Sequence, residues 1–282
     1  MVYNSAHMKL LFDEVGYWSE IKLEIIEKYA KAYSEIMNKR FYHVYVDAFA
    51  GAGKHKSRTS GDMIKGSPSI ALDIKPEFRE YYFIDIVKEK VAELEKIAAN
   101  RPEVHVLEGD CNAILLSDVF PNIKYEIYRR GLVLLDPYGL HLDWSVIEKA
   151  GIMKTIDLFL NFPVVDMNRN VFWRNAENVD SRDILRMDRF WGDNSWKNVA
   201  YDNQSNLFGF DFKTDNDTVV QAFKKRLIEK AGFKNVSEPL PMRNSKGATI
   251  YYLFFASQAQ LAQNIADDII VGIFKKYKEK GM

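Results

Sequence analysis

Apolar positions in the first part of the chain change period as they go. Ile21, Leu23, Ile25, Ile26, Tyr29, Ala30, Tyr33, Ile36 and Met37 recur at helical spacing between lysines and glutamates, with Ser19 placed as an N-cap. Tyr42-His43-Val44-Tyr45-Val46 is β-branched and aromatic, too short for a helix, and runs toward Gly51 and Gly53. The alternation then repeats. Ser67-Pro68 predicts a helix start, with Ser67 as cap and Pro68 in the first turn. Tyr81-Tyr82-Phe83-Ile84 predicts a second strand and 87–99 a helix. Val104-His105-Val106-Leu107 predicts a third strand, followed by a helical stretch over 111–120. Leu132-Val133-Leu134-Leu135 and Ile156-Asp157-Leu158-Phe159-Leu160 predict two more buried strands, with a helix over 144–150 between them.

Apolar strands alternating with helices imply an α/β fold with a mostly parallel sheet, helices covering both faces. The strand ends carry Asp47, Asp85, Asp110, Asp136 and Asn161. Ligands of open α/β sheets bind outside the carboxyl ends of the strands, so these residues are candidates for a site, although turns favour the same types. From Asp166 to Asn216 the periodicity weakens and Asn, Asp, Arg and Trp become dense, which predicts an inserted subdomain. A helix over 218–231 follows. Two strands, around Val236 to Met242 and over Thr249 to Phe255, are joined by the turn Arg243-Asn244-Ser245-Lys246-Gly247 and predict an antiparallel C-terminal hairpin. A helix over 260–278 ends the pattern. The expected organisation is an N-terminal helical segment (1–40), a Rossmann-like core in two parts (41–165 and 217–257) around an inserted subdomain (166–216), and a C-terminal helix (258–282).

Composition narrows the classes. Lys and Arg number 39 and Asp and Glu 39, so bulk positive charge cannot attract a polyanion and only a local patch could. A single cysteine, Cys111, excludes a disulfide framework and any multi-cysteine metal site within the chain. His43, His55, His105 and His141 lack metal-ligand spacing, so no metal is expected. No apolar run reaches the roughly 18 residues of a membrane helix, and residues 1–10 lack the apolar stretch of a signal peptide. The expectation is a cytoplasmic protein without membrane contact.

The sharpest local signal is Val46-Asp47-Ala48-Phe49-Ala50-Gly51-Ala52-Gly53, a strand running into Gly-x-Gly. A dinucleotide fingerprint needs a third glycine where Lys56 stands, so an NAD(P) enzyme is disfavoured. A P-loop needs a glycine where Ala48 stands and a Ser or Thr where His55 stands. S-adenosylmethionine fits better, because it carries no phosphate but has an ammonium, a sulfonium and a ribose diol that acids and carbonyls can serve. Asp47 would face its amino-acid end, and the turn at Gly51 and Gly53 would run beneath its methionine and ribose. Asp85 would accept both ribose hydroxyls, Asp110 with Cys111 beside it would meet the adenine, and Ala48, Phe49, Ala50 and Ile86 complete the expected cofactor-binding set.

These motifs resemble the three-Cys-motif partner protein (TcmP) family. The resemblance rests on Asp47 to Gly53, Gly66-Ser67-Pro68, Phe83-Ile84-Asp85, Leu135-Asp136-Pro137-Tyr138-Gly139 followed by Trp144, Asn161-Phe162 and Asn168-Arg169-Asn170. It spans residues 18–175 well and the rest loosely. It implies kinship with the class I methyltransferases, whose seven-stranded sheet ends in a reversed hairpin, and a partner protein bearing three cysteines and resembling radical-SAM proteins. Cys111 alone cannot supply that motif.

Asp136-Pro137-Tyr138 also resembles the Asp-Pro-Pro-Tyr motif of amino-methyltransferases acting on nucleic-acid bases, with the second proline missing and Gly139 following. In that motif the acid and the next carbonyl accept from an exocyclic amine while the aromatic ring stacks on the flipped base. A plain turn after a buried strand would use the same residues. Between Gly53 and Ser67 the polar stretch Lys54, Lys56, Arg58 and Lys65 reads as a loop at the strand ends, either a lid for substrate phosphates or a solvated connection. Arg169, Arg174, Arg182, Arg186 and Arg189 lie among Phe172, Trp173, Phe190, Trp191 and Trp196. With Asp166, Asp180, Asp183, Asp188 and Asp193 beside them, they predict a salt-bridged mini-domain over a nucleic-acid surface. The expected function is SAM-dependent methyl transfer to an exocyclic amine of a base. Asp136, Pro137 and Tyr138 would be catalytic, and Lys54, Lys56, Arg58 and Asn161 would touch DNA or RNA. The alternative is a non-catalytic SAM-binding adaptor for the three-cysteine partner.

Overall fold

The structure, a computed structural model, describes residues 11–173, 176–202, 212–244 and 246–279. Arg174, Ser245 and the parts of the expected segments at 1–10, 203–211 and 280–282 lie outside the described residues. The chain is mixed α/β with a central, mostly parallel sheet, and it divides into two compact units, residues 1–134 with 264–282, and residues 135–263.

The first unit begins with β1 (Glu14–Val15) and α1 (Tyr17–Met37). Gly16, not Ser19, stands at the N-cap of α1, and Ile21, Ile25, Ile26, Tyr29, Ala30 and Tyr33 form its buried face. The outer residue Ile36 is exposed, because a helix buries only one stripe. After β2 (Tyr42–Asp47), the stretch read as a loop is a hairpin of β3 (Lys54–Ser57) and β4 (Met63–Lys65), with β1 parallel to β3. Alternation of exposed lysines with His55, Ser57 and Ile64 is a strand pattern, short enough to be hidden by its charge.

Then come α2 (Ser67–Asp73), β5 (Glu80–Asp85), α3 (Lys88–Ala98), β6 (Val104–Glu108), α4 (Cys111–Ile114) and β7 (Arg129–Leu135). The helical stretch after Cys111 continues as a π turn over Leu115–Val119 and a 3-10 turn over Phe120–Asn122. Within the unit, β5 and β7 flank β2 in parallel and β6 pairs with β5. In chain order that is 3-2-1-4, the order of a Rossmann-like half sheet. Tyr33, Tyr45 and Tyr81 close on the Phe78 ring, at centroid distances of 6.0, 5.4 and 5.8 Å. Beside them His43 is buried, its Nε2 2.8 Å from Ser34 Oγ, and burial holds its pKa down to about 4, so it stays neutral.

The second unit holds α5 (Trp144–Met153), β8 (Ile156–Phe162), α6 (Val164–Asn170), α7 (Ser181–Trp191), α8 (Trp196–Ala200), β9 (Tyr201–Asp202), β10 (Phe212–Lys213) and α9 (Asn216–Glu229). It continues through β11 (Asn235–Val236), β12 (Leu240–Arg243) and β13 (Thr249–Ser257). The last helix, α10 (Gln260–Glu279), passes back into the first unit. The single strand read around Val236 to Met242 is two short ones, β11 and β12, both antiparallel to β13, which itself runs antiparallel to β8. Pro239 lies in the break between them, where a residue that cannot donate to a ladder interrupts the pairing. Phe223 is the hub of this core, with Phe162, Phe190, Trp191 and Phe254 within 5.7 Å of it by ring centroid.

Helix α5 meets the chain after α9 backbone to backbone. A Cβ on Gly151 would lie 2.0 Å from the Ala231 carbonyl oxygen. Gly151→Ala is therefore expected to destabilise the second unit by about 3 kcal/mol, an overpacking that neither backbone can relieve. A urea midpoint that falls at unchanged slope would register it, and an unmoved midpoint would contradict the close approach.

Candidate functional site

Two sets of candidate residues emerge, one in each unit. In the first unit the parallel registers of β2, β5 and β6 bring their carboxyl ends level, with Asp47 opposite Phe83 and Asp85 opposite Glu108. Asp85 is buried; its Oδ2 accepts the Gly51 N–H at 2.9 Å and its Oδ1 the Val87 N–H at 2.9 Å. Each carboxylate oxygen has a further lone pair beyond these bonds. Gly51 has φ of +63°, a conformation L side chains avoid, and the nearest atom to a Cβ there is 3.9 Å away. Gly51 itself is buried, with the His55 ring as the atom group nearest to that position. Next to Asp85, the Ile86 side chain is 56 % exposed, an apolar surface beside a polar acceptor.

Asp110 is exposed and caps α4, its Oδ1 accepting from the backbone N–H and side-chain amide of Asn112 at 3.0 and 2.9 Å. Cys111 beside it is buried. Asp47 is placed differently from the expectation that it presents its acid to a ligand. It is enclosed, its Oδ2 accepting from Ser67 Oγ at 2.5 Å and its Oδ1 from the Phe49 N–H at 3.3 Å. Ser67 is correspondingly not the cap of α2; Gly66 occupies that position and Ser67 ties the helix to the end of β2. Ala48 and Ala50 are buried, and Ala50 donates to the Ile84 carbonyl, so neither of these side chains is presented. No local signal marked the Asp47–Ser67 bond, because its partners are twenty residues apart.

Lys54, Lys56 and Arg58 lie on the hairpin of β3 and β4, all exposed. Lys56 and Arg58 reach Glu14 at 3.3 and 3.7 Å. Such exposed pairs are weak and can exchange for other anions.

In the second unit Asp136, Pro137, Tyr138 and Gly139 follow the end of β7. Pro137 is buried and Tyr138 is 61 % exposed. Asn161 was expected to touch substrate; instead it is buried on β8 and its Nδ2 donates to Asp136 Oδ1 at 2.6 Å. Its own Oδ1 is buried and takes no hydrogen bond among the described residues. On the same strand pair, Tyr252 donates to Asp217 Oδ1 at 2.7 Å, and burial with that acceptor pushes its pKa up to about 12, so it remains a donor.

Asp166 and Arg186 clamp the turn, a role the sequence did not single out. Asp166 Oδ2 accepts the Leu140 N–H at 2.9 Å and an Arg186 Nη2 bond at 2.8 Å, while Asp166 Oδ1 accepts from Asn170 at 2.6 Å. Gly139 has φ of +79°, and a Cβ on it would fall 2.5 Å from Asp166 Oδ2. Gly139→Ala is expected to expel Asp166 from the turn at a cost of about 2 kcal/mol, read as a lower unfolding midpoint. Around the clamp, Arg186–Asp183, Arg189–Asp143, Arg182–Asp180 and Arg226–Asp193 are paired at 2.7 Å. Phe172, Phe190, Trp191 and Trp196 are buried, leaving Trp173 exposed, as in a salt-bridged packing layer.

Among the described residues, no group of three or more His, Cys, Asp or Glu could hold a metal ion, and no helix is long and apolar enough to cross a membrane.

No protein-family model matches the chain, and no characterised sequence matches it significantly. Protein LPL1258 from Legionella pneumophila, of the family DUF519, is similar in structure at a TM-score of 0.52 and 12% identity, over 90% of this chain and 92% of that one. That likeness concerns the fold alone. Weaker similarities include Trm1 from Pyrococcus horikoshii in complex with S-adenosyl-L-methionine (TM-score 0.45, 10% identity, 88% of this chain and 58% of that one). An S-adenosylmethionine-dependent methyltransferase from Clostridium acetobutylicum is another (TM-score 0.37, 9% identity, 82% and 90%).

Proposed function

We propose that the chain is a SAM-dependent methyltransferase acting on an exocyclic amine of a nucleic-acid base, in concert with a three-cysteine partner protein as the TcmP resemblance implies. The observation that carries the reading is the Asp136–Asn161 pair. A half-buried carboxylate at the end of a parallel strand, held at 2.6 Å by a buried amide, is a fixed acceptor for a hydrogen-bond donor. An aryl amine is such a donor.

The donor set of the first unit fits the cofactor on chemical grounds. Asp85 and Asp110 offer acceptors for a diol and an amino group, and Ile86 an apolar surface for a flat ring. When bound, the cofactor supplies a methyl group on a sulfonium, which leaves as a thioether when the N–C bond forms. Asp136 and the carbonyl that follows would accept the amine's hydrogens and aim its lone pair, a contribution of alignment rather than strong basicity. Asn161 keeps the carboxylate from rotating away, and Tyr138 offers an exposed ring against which a base can stack. The proton lost by the methylated amine passes to water.

Calorimetric titration with S-adenosylhomocysteine, followed by labelled-methyl incorporation into denatured DNA and total RNA, tests the reading. Binding with incorporation supports it, binding without incorporation leaves an adaptor, and a folded chain that does not bind refutes it.

A further inference from the structure

Beyond that reading, the first unit carries a second built surface at the amino ends of its strands. Tyr125, Ile127 and Tyr128 are 59, 55 and 67 % exposed, three large apolar side chains within four positions. The turn that displays them is fixed. Tyr128 donates to the Tyr125 carbonyl at 3.1 Å, Arg129 to that of Lys124 at 3.2 Å, and Tyr42 to that of Tyr128 at 3.1 Å. Tyr128 holds a left-handed φ of +56°, an uncommon conformation for a bulky residue, within this bonded turn.

Arginines are layered among these rings. The Arg130 guanidinium lies 4.5 Å from the Phe41 ring centroid and 4.5 Å from that of Tyr125, a Phe–Arg–Tyr stack whose outer member is largely open. Its neighbour Arg129 sits 4.2 Å from the Tyr42 centroid and is held there by Glu80 at 2.8 Å. Lys39, Arg40 and Lys124 are exposed around the patch, with Glu126 as the acid within the turn. A rigid aromatic surface interleaved with planar cations and ringed by lysine and arginine is the chemistry that holds unpaired bases by stacking and phosphates by charge.

We propose that Phe41, Tyr125, Tyr128 and Arg130 form an exosite for single-stranded nucleic acid. An acidic protein would satisfy the charges but has no need of an open ring stacked on an arginine. The exosite begins where β2 and β7 begin, at Tyr42 and Arg129, whereas Asp47 ends β2 about 17 Å further along the strand. It would grip the strand away from the reacting base, so short acceptors would bind poorly. The inference rests on the methyltransferase reading for its purpose but not for its test, because binding needs neither cofactor nor turnover.

The test is fluorescence anisotropy of labelled oligouridylate and oligothymidylate of about fifteen nucleotides, with a duplex of the same length as control. Wild-type protein is expected to bind both single strands more tightly than the duplex and to weaken as salt rises from about 50 to about 200 mM. Tyr125→Ala with Tyr128→Ala should lose about tenfold or more in affinity, while Tyr125→Phe, which keeps the ring, should retain it. All these side chains are exposed, and unchanged unfolding midpoints would confirm intact folding. Failure of the wild type to bind, equal binding of the duplex, or full affinity in the double variant each overturns the proposal. So does loss confined to Lys54→Gln, Lys56→Gln and Arg58→Gln, which would move the site to the hairpin. Binding of S-adenosylhomocysteine on the same samples reports on the methyltransferase reading separately.

Discussion

Asp85→Ala should raise the dissociation constant for S-adenosylhomocysteine about a hundredfold or more. A charged acceptor contributes roughly 1.5–3 kcal/mol per hydrogen bond, and a diol makes two, so loss of the carboxylate removes about 3 kcal/mol even at the low end. A second effect adds to the first. The same carboxylate receives the Gly51 and Val87 N–H groups, so alanine frees the glycine turn as well as deleting the ligand's acceptor. Asp85→Asn separates the two: one amide oxygen can hold one of those N–H groups, while the amide nitrogen opposes the other and the diol. Its affinity should lie between wild type and alanine. Calorimetry on both variants decides, and an alanine variant that binds as wild type does would remove Asp85 from the site and the cofactor assignment with it.

The path to Asp85 was legible in the sequence because it depends on local pattern. An apolar run ending in an acid, before a helix, is both a strand signal and a position at the carboxyl edge of a parallel sheet, and β5 ends on that acid. The parallel strands β2, β5, β6 and β7 and the reversed β13 likewise follow from runs whose type is set by a few neighbouring residues, whereas their 3-2-1-4 order is a matter of long-range pairing. What stayed hidden depends on partners distant in the chain. Ser67 reads locally as a helix cap, but it spends its hydroxyl on Asp47, and nothing within several residues of either records that choice. Asp166 reads as one acid among many in a charge-dense stretch, yet it receives both Leu140 and Arg186 where Gly139 leaves room. The β3–β4 hairpin was obscured by its exposed lysines, since a strand that buries only Ser57 deeply carries almost no hydrophobic alternation. Turn and strand geometry is written locally; the allocation of polar side chains is written in the tertiary fold.

That allocation gives the second large effect. Asp136→Ala is expected to lower labelled-methyl incorporation about a hundredfold or more, with the affinity for S-adenosylhomocysteine within about twofold of wild type. The asymmetry follows from where each group is held. Asp85 and the Gly51 turn belong to the unit formed by residues 1–134 with 264–282, whereas Asp136 is fixed by Asn161 on β8 in the other. Asn161→Ala should give a smaller loss, since it leaves the acid in place but without the amide that orients it, and Asp136→Asn should not restore activity because an amide turns a donor toward the amine in one of its two orientations. If Asp136→Ala keeps full incorporation, the turn after β7 is only a turn and the acceptor site lies elsewhere. If it loses cofactor affinity in the same proportion as activity, Asp136 serves binding of the cofactor and not alignment of the amine. An intact affinity with lost turnover is the outcome that the bond between Asp136 and Asn161, and the unfilled acceptor on Asn161 beside it, lead one to expect.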